Sequence, residues 1–326
     1  MNGTSNLLEI RDLKVYYNLP KNVIKAVDGV NLHLEEGDVL GLIGESGSGK
    51  STLGRAIIKL LPPYAKIVSG KIFFEGEDIV RKDEKEMRKI RGGKISMIFQ
   101  DPSSSLNPCL TIGEQIAEVI KEHCKDVQSN AEIKEKVIDL LNKVGIMDAK
   151  HRFSSYPHEL SIGMRQRVVI AMALAASPKL VIADEPTSSL DVSTQAKILE
   201  LIKNLKTYIN FSMILITHHI GVASSICNRI AVMYGGKIIE IANREELLKN
   251  PSHPYTLSLL NAVPYLHRDV DKLFIIQGKP PDLSNPPPGC RFHPRCSCAE
   301  SICKKEEPPL TNVNSEHAVA CFRIKT

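Results

Sequence analysis

A glycine-rich segment at 44–52 constrains the fold of this chain more than any other feature of its sequence. It reads, in order, Gly44, Glu45, Ser46, Gly47, Ser48, Gly49, Lys50, Ser51 and Thr52. This order matches G-x-x-x-x-G-K-[ST], a loop whose backbone N–H groups wrap a phosphate while the next helix directs its positive end toward the anion. An apolar run at 39–43 precedes it and an apolar-periodic stretch follows to about Leu61. The segment therefore predicts a P-loop α/β domain that binds Mg·ATP.

Two residues of this loop, and two acids further along, have the chemistry that ATP hydrolysis needs. Lys50 is expected to bridge the β- and γ-phosphates, and Ser51 to ligate Mg²⁺. The apolar run at 180–183 ends in Asp184 and Glu185, and carboxylates at the end of a buried strand lose hydration unless they serve a cation or a reaction. We expect Asp184 to hold Mg²⁺ through water, and Glu185 to orient or deprotonate the attacking water.

Two polar residues follow other predicted strands. Gln100 comes after 95–99 and is a candidate to contact Mg²⁺ or the attacking water, while His218 comes after 213–217 and is a candidate to contact a γ-phosphate oxygen. On the residues alone, an ordinary interpretation of both as loop residues stays open.

Hydrophobic periodicity predicts alternating strands and helices. The predicted strands are 8–17, 30–34, 39–43, 71–74, 95–99, 179–183 and 213–217, and the predicted helices are 111–124, 131–146, a helix from Ser161 and 194–208. A hairpin is expected at 229–242, turning at Gly235 and Gly236. This alternation is typical of a mainly parallel sheet with helices on its faces. Since 11 of the 19 prolines lie from Pro251 onward, that part is predicted to be a separate, loop-rich tail.

Charge and aromatic content argue against nucleic acid as a partner. The chain has 42 basic and 37 acidic residues, 5% aromatic residues and no Trp. Scattered charges of both signs indicate a solvated surface, and few aromatics leave little platform for stacked bases and predict an aliphatic core. The N-terminus lacks the pattern of a secretory signal, and the longest apolar stretch, 168–176, is about half the length that crosses a bilayer. The sequence predicts a cytosolic chain whose membrane association is peripheral.

A further segment, 160–167, decides the class of P-loop protein. It reads Leu-Ser-Ile-Gly-Met-Arg-Gln-Arg and lies shortly before the acidic strand. Together with the P-loop, Gln100, Asp184 with Glu185, and His218, in this order, it resembles the ATP-binding subunits of ABC transporters. The resemblance implies that two such subunits enclose two ATP molecules, each capped by the signature segment of the other subunit. It assigns that capping to Ser161, Ile162, Gly163 and Met164, a dimer-interface loop to Ser189, Leu190 and Asp191, and adenine stacking to Tyr17.

Four other segments narrow the resemblance. They are 100–108, 156–160, 253–256 and 286–296, and they look like the ATPase subunits of dipeptide and oligopeptide importers, a subfamily that also contains nickel importers. The resemblance covers the whole chain and implies ATP-driven uptake of peptides, with nickel as an alternative cargo. It implies a second, homologous ATPase subunit in a heterodimer, two transmembrane permease subunits and, indirectly, an extracellular solute-binding protein. The chain would then lie on the cytoplasmic face of the cell membrane.

This resemblance also divides the chain. Residues 1–250 would form an ABC nucleotide-binding domain with an antiparallel β subdomain and a helical subdomain at about 101–176. Residues 251–326 would form a metal-binding C-terminal extension of the peptide-importer type.

Two residues depart from the family pattern. Ile162 stands where the family usually has Gly, and a β-branched residue limits the backbone where a phosphate approaches closely. We therefore expect the partner's ATP to be capped less well. His219 stands where the family usually has Asp, which affects the expected orientation of His218.

The C-terminal extension is rich in cysteine. Of the eight cysteines, Cys290, Cys296, Cys303 and Cys321 match those of the importer family, whereas Cys298 is additional. Thiolates select iron–sulfur clusters or zinc, and spaced single cysteines suit a [4Fe–4S] cluster better than zinc, whose sites usually show a tight C-x₂₋₄-C pair. A cluster held by these four residues is the expectation, and zinc, free thiols and disulfides stay open.

Three other functional classes fit the sequence less well. A degenerate regulatory or redox-sensing subunit that binds ATP without turnover is suggested by Ile162 and the cysteines, but intact Glu185 and His218 oppose it. An ABC-type ATPase of DNA repair or translation would normally show coiled-coil insertions or tandem P-loops. A P-loop kinase would have no use for the signature segment.

Overall fold

The computed structural model describes residues 6–126, 129–262 and 276–324, and the chain forms an α/β fold in this part. Its strands, in chain order, are β1 Asn6–Asn18, β2 Val23–Glu35, β3 Val39–Ile43, β4 Ala65–Phe74, β5 Glu77–Asp78, β6 Ile95–Ile98, β7 Leu180–Asp184, β8 Ser212–Thr217, β9 Arg229–Tyr234, β10 Lys237–Asn243, β11 Thr311–Asn314 and β12 His317–Val319.

The helices lie between these strands. In chain order they are α1 Lys50–Ile57, α2 Glu84–Ile90, α3 Pro102–Ser105, α4 Ile112–His123, α5 Asn130–Lys143, α6 Ala149–Arg152, α7 Ile162–Leu174, α8 Val192–Tyr208, α9 Ile220–Ile226, α10 Arg244–Lys249 and α11 Pro254–Asn261. Within the described residues, none of these helices is long and apolar enough to cross a membrane. Helices α3 to α7 follow one another, with no strand between them over 102–126 and 129–174.

The chain divides into two compact units. The first contains the described parts of Met1–Arg81 and Leu215–Thr326, and the second is Lys82–Ile214. The P-loop, His218 and the C-terminal extension belong to the first unit, whereas Gln100, the signature segment, Asp184 and Glu185 belong to the second.

The first unit has an antiparallel sheet in the order β2-β1-β4-β5. In its register Ile10 lies opposite Leu32 on one side and Ile72 on the other. These side chains are buried, because alternate residues of each strand point to the same face. The sheet confirms the strands predicted near the N-terminus, and it is the expected antiparallel β subdomain.

A second set of strands in this unit carries the P-loop. Strand β3 is parallel to β9, and β9 and β10 form the predicted antiparallel hairpin. All five residues of β3 are buried, which explains its continuous apolar sequence. The C-terminal extension continues this arrangement, since β12 pairs with β10 and β11 pairs with β12.

The two strands of the extension were not predicted. Strand β12 is short, and a buried hydrogen bond links it to β10, with 2.7 Å between His317 Nε2 and Glu240 Oε1. Glu240 is fully buried on β10, and its carboxylate also accepts hydrogen bonds from the backbone N–H groups of Ser252 and His253. A buried carboxylate needs such partners, and they join the extension to the hairpin.

The second unit is mainly helical, with β6 and β7 paired in parallel. Helices α4 and α5 both begin with a capping box, Thr111 with Glu114 and Ser129 with Glu132, which satisfies backbone N–H groups of the first turn. Helix α7 is apolar on most of its surface and accounts for the long apolar stretch at 168–176, because a helix that is hydrophobic all round is buried in a core.

Several helix ends differ from the sequence prediction. Helix α1 ends at Ile57, not near Leu61, because Lys59 has a positive φ of 51° and cannot continue a right-handed helix. Helix α8 begins at Val192, two residues earlier than predicted, because the Asp191 side chain caps it.

Candidate active site

The P-loop has a backbone that only glycine can adopt at two positions. Gly44 and Gly49 have φ values of 154° and 107°. A Cβ at Gly44 would lie 2.1 Å from the Met233 carbonyl oxygen, and one at Gly49 would lie 2.1 Å from that of Ala26. The loop is therefore packed against neighbouring backbone, and larger residues are excluded at both positions.

Lys50 is the buried cation of this loop, with only 5% of its surface exposed. Its ammonium group donates hydrogen bonds to the carbonyl oxygens of Gly44, at 2.7 Å, and Glu45, at 2.8 Å. Lys50 also begins α1, whose N-cap residue Gly49 provides no side-chain cap. Backbone N–H groups at the beginning of a helix and a buried ammonium group together favour an anion such as a phosphate.

Tyr17 lies at the same part of the first unit. Its hydroxyl is 2.9 Å from the Thr52 hydroxyl, and its ring centroid is 5.7 Å from that of Tyr64. Tyr64 is 52% exposed and was not selected from the sequence, because a single tyrosine after two prolines carries no recognisable pattern. Adenine stacking on Tyr17 stays a prediction.

The C-terminal extension also reaches the P-loop. The Tyr255 hydroxyl accepts a hydrogen bond from the backbone N–H of Glu45, and the Arg295 guanidinium binds the Glu45 carboxylate. Both residues belong to segments that carry the family resemblance, but no local pattern indicates that they contact residue 45.

In the second unit, Gln100 and Glu185 lie together. Gln100 Nε2 donates to Glu185 Oε2 at 3.1 Å. Asp184 ends β7 and is only 2% exposed. Glu185 has a positive φ of 47°, a conformation that is strained for residues other than glycine and that occurs often at functional sites. The contact supports a common role for Gln100 and Glu185.

The signature segment forms the beginning of α7. The Ser161 hydroxyl caps the helix by accepting a hydrogen bond from the Met164 backbone N–H at 3.3 Å. The Ile162 side chain is 48% exposed. Gly163 lies against α8, where an added Cβ would be 3.0 Å from Thr194 Cγ2.

A contact of Arg165 was not predicted. Its guanidinium donates to the Leu160 carbonyl oxygen and to the Ser103 hydroxyl, both at 3.0 Å. It thereby connects the signature segment to the short helix α3 that follows Gln100.

The predicted interface loop, Ser189, Leu190 and Asp191, leads into α8. Asp191 accepts hydrogen bonds from Thr194 and Ser193, and these lower the pKa of its carboxyl group. In the first unit, His218 is exposed, and its ring centroid lies 4.0 Å from that of His219. His219, which departs from the family pattern, therefore packs directly against His218.

The cysteines of the extension line one pocket, to which Cys290, Cys296, Cys298, Cys303 and Cys321 all contribute. Burial raises the pKa of the Cys290 thiol to about 11, and three neighbouring cysteines add to this increase. Burial also raises the pKa values of Cys296 and Cys321. The thiols are thus close enough to influence one another.

The side chains of the extension are nevertheless not arranged as the predicted metal site. Over residues 6–126, 129–262 and 276–324, no group of three or more His, Cys, Asp or Glu side chains is placed to hold a metal ion. The expected [4Fe–4S] ligands, Cys290, Cys296, Cys303 and Cys321, line the same pocket but do not form such a group. The metal-binding character of the extension is therefore not supported by the fold alone.

Comparison with protein families gives two matches. Residues 27–188 match the family described as ABC transporter, and residues 239–303 match the oligopeptide/dipeptide transporter C-terminal region. The first match contains the P-loop, the signature segment and Glu185, and the second contains three of the four predicted cluster cysteines.

Curated relatives align along nearly the whole chain. The oligopeptide transport ATP-binding protein OppD of Bacillus subtilis is 48% identical over 98% of this chain and 89% of its own length. The dipeptide transport ATP-binding protein DppD of the same organism is 45% identical over 97% of this chain and 94% of its own length. OppD of Escherichia coli is 44% identical over 97% of this chain and 93% of its own length.

Solved structures show the same fold. The ATP-binding cassette MJ0796, in a dimeric post-hydrolysis state bound to ADP and Pi, superposes with a TM-score of 0.66 at 30% identity, covering 73% of this chain and 98% of that one. The protein cbiO1 of Clostridium perfringens, part of the ABC transporter complex cbiONQ, gives 0.64 at 28% identity, covering 75% and 91%. This chain therefore belongs to the ABC transporter ATPases with a P-loop NTPase fold, in the group of ATP-binding proteins that carries the oligopeptide/dipeptide transporter C-terminal region.

Proposed function

We propose that this chain is the ATP-hydrolysing subunit of an importer that takes up dipeptides or oligopeptides across a membrane. The observation that carries the proposal is the similarity, over at least 97% of the chain, to proteins named for oligopeptide and dipeptide transport. Peptides are favoured over nickel as the cargo because these names all refer to peptides.

The roles of the site residues follow from their chemistry. The P-loop at 44–52 holds the phosphates, with Lys50 moving its ammonium group from the loop carbonyls to the β- and γ-phosphates. Ser51, Asp184 and Gln100 provide the oxygen ligands that Mg²⁺ prefers, directly or through water. Glu185 accepts the proton of the attacking water.

Two further residues support this chemistry. Gln100 holds the Glu185 carboxylate through the hydrogen bond at 3.1 Å, so that a change near α3 would alter the position of the base. His218 contacts the γ-phosphate, with its ring supported by His219.

The complex contains a second ATPase subunit. Residues 161–164 cap the ATP of that subunit, and Ser189, Leu190 and Asp191 lie in the interface between the two subunits. We infer a heterodimer from the family resemblance. In such a heterodimer Ile162 would belong to only one of the two signature segments, so the two nucleotide sites would differ.

The other partners lie in and beyond the membrane. Two transmembrane permease subunits receive the movement of the helical subdomain at about 101–176, and an extracellular solute-binding protein delivers the peptide to them. This chain is peripheral on the cytoplasmic face. The ABC domain spans 1–250, and the C-terminal extension 251–326.

A reconstituted transporter tests the cargo and the reaction together. The chain is assembled with its permease and ATPase partners in vesicles, and ATP-dependent accumulation of a labelled dipeptide, a labelled pentapeptide and Ni²⁺ is measured. Uptake of either peptide supports the proposal. Uptake of Ni²⁺ alone would assign the nickel alternative, and ATP binding without any turnover would favour a regulatory subunit.

For the extension, we propose a [4Fe–4S] cluster bound by Cys290, Cys296, Cys303 and Cys321. The supporting observation is that all four thiols line one pocket, where their mutual repulsion as thiolates would be relieved by a cation. When bound, such a cluster would tie together loops that have little core of their own.

Anaerobically purified protein tests this assignment. A broad absorbance near 400 nm with about four irons and equivalent acid-labile sulfide per chain is expected. Colourless protein that contains zinc would assign zinc instead, and protein without either metal would leave free thiols.

A further inference from the structure

The beginning of the P-loop is held by two side chains of the C-terminal extension. The Tyr255 hydroxyl accepts a hydrogen bond from the Glu45 backbone N–H at 2.8 Å. The Arg295 guanidinium forms two parallel hydrogen bonds with the Glu45 carboxylate, Nη1 to Oε2 at 2.7 Å and Nη2 to Oε1 at 3.0 Å. Glu45 is thus held both by its backbone and by its side chain.

The Tyr255 and Arg295 side chains are themselves held in place. Tyr255 is fully buried, and its ring packs against Tyr234 and Phe292, with centroid distances of 4.6 and 5.4 Å. Arg295 Nε also donates to the Gln277 carbonyl oxygen at 2.9 Å, and its side chain is 5% exposed. A planar guanidinium held in this way presents a fixed pair of donors to a carboxylate, which a lysine cannot reproduce.

The charge of Glu45 makes this contact important for ATP. Glu45 is the second residue of a loop that binds a strongly negative triphosphate, and its carboxylate is only 22% exposed, so that water screens it poorly. Lys50 donates to the backbone carbonyl oxygen of Glu45. The Glu45 carboxylate is paired with Arg295, which balances its charge.

We propose that Arg295 is a positioning residue for ATP binding, which neutralises Glu45 and, together with Tyr255, fixes the beginning of the P-loop. The C-terminal extension thereby sets the affinity of the site for ATP. This inference deepens the proposed function and rests on it, since it assumes that the P-loop binds ATP.

The first test uses the full chain with Arg295→Met. Its affinity for a non-hydrolysable ATP analogue with Mg²⁺ is measured by calorimetry, and so is its affinity for ADP. An unpaired Glu45 carboxylate repels the triphosphate, so the affinity for the analogue is expected to fall about tenfold, equivalent to about 1.4 kcal/mol. The affinity for ADP, which carries less charge, is expected to fall less.

The decisive variant adds Glu45→Gln to Arg295→Met. It removes the charge that Arg295 balances, and it is expected to restore most of the affinity for the ATP analogue. Glu45→Gln alone is expected to bind the analogue at least as tightly as the unchanged chain, because Arg295 then adds uncompensated positive charge. Glu45→Gln alone therefore still tests the proposal if Arg295→Met does not fold.

Arg291 offers a matched control. It belongs to the same extension, is 8% exposed and pairs with Asp28 and the Gly235 carbonyl oxygen, outside the P-loop. Arg291→Met is expected to lower the melting temperature while its affinity for the analogue stays within about twofold of the unchanged chain.

Three results would overturn the inference: unchanged affinity in Arg295→Met, a loss that Glu45→Gln does not relieve, or a tenfold loss in Glu45→Gln alone. If the wild-type chain does not bind the analogue, the proposed function itself is contradicted.

Discussion

The side-chain amide of Gln100 donates a hydrogen bond to the Glu185 carboxylate, with 3.1 Å between Nε2 and Oε2. Glu185 also has a strained backbone, with φ at 47°. An amide donor of this kind holds the carboxylate in one orientation. Gln100, which follows β6, is thus linked directly to the predicted catalytic base.

Replacing the predicted base separates ATP binding from hydrolysis. Glu185→Gln keeps the size of the side chain but cannot accept a proton, so ATP turnover is expected to fall by about 100-fold or more while ATP still binds. Turnover and nucleotide affinity are measured on the same preparation. Glu200→Gln, on the exposed face of α8, serves as the control, and undiminished hydrolysis in Glu185→Gln would remove this assignment.

Removal of the Lys50 ammonium group is expected to weaken ATP binding. A hydrogen bond to a charged group contributes about 1.5–3 kcal/mol, so Lys50→Ala should bind ATP about 10- to 100-fold more weakly. Calorimetric titration with Mg·ATP measures the change. Lys85→Ala, an exposed lysine on α2, should bind ATP as the unchanged chain does, and equal affinity in both variants would exclude Lys50 from the phosphate site.

The exposed Ile162 side chain is expected to limit the partner's nucleotide site. In the assembled transporter, Glu185→Gln in this chain confines hydrolysis to the ATP held by the partner's P-loop. Adding Ile162→Gly should then raise the remaining turnover severalfold, because the signature backbone can approach the γ-phosphate more closely. Val68→Gly, which also replaces an exposed β-branched residue, should not. A fall in turnover after Ile162→Gly would show that Ile162 supports capping.

Two cysteines outside the extension should differ in reactivity. Burial raises the pKa of Cys227 to about 12 and it is 1% exposed, whereas Cys109 is exposed. Since the thiolate is the reactive form, a short treatment of the native protein with iodoacetamide should modify Cys109 and not Cys227. Peptide mass spectrometry measures both positions, with urea-denatured protein as the reference. Equal modification in the native state would mean that β3 and α9 open readily around Cys227.

Stability should depend on pH through His253. This side chain is 2% exposed, and burial lowers its pKa to about 3 from an ordinary value of 6.5. In the folded state His253 stays neutral, since its Nδ1 accepts a hydrogen bond from the Tyr255 backbone N–H. Between about pH 3 and 6.5 the unfolded chain therefore binds the additional proton, and the free energy of unfolding should fall by about 1.4 kcal/mol for each unit that the pH decreases.

Urea denaturation at several pH values measures this slope. His253→Asn keeps a capping acceptor but cannot titrate, so its slope should be smaller over the same range. His151→Asn, at an exposed histidine, should keep the slope of the unchanged chain. Equal slopes in the unchanged chain and in His253→Asn would contradict the low pKa.

Local patterns in the sequence determined the strand β3, the P-loop at 44–52, the pair Asp184 and Glu185 at the end of β7, and the capping of α7 by Ser161. Each depends on neighbouring residues, through the spacing of apolar side chains or through a turn that needs glycine. The same patterns placed the hairpin at 229–242.

Contacts between distant parts of the chain were decided by the tertiary structure alone. Arg295 binds Glu45 across 250 positions and His317 binds Glu240 across 77, and no periodicity or turn motif encodes such pairs. The pairing of β12 with β10 and the binding of Tyr255 to the P-loop are of the same kind. They depend on which buried charges and polar groups find partners once the chain is packed, because a buried charge without a partner is far more costly than one in a hydrogen-bonded pair.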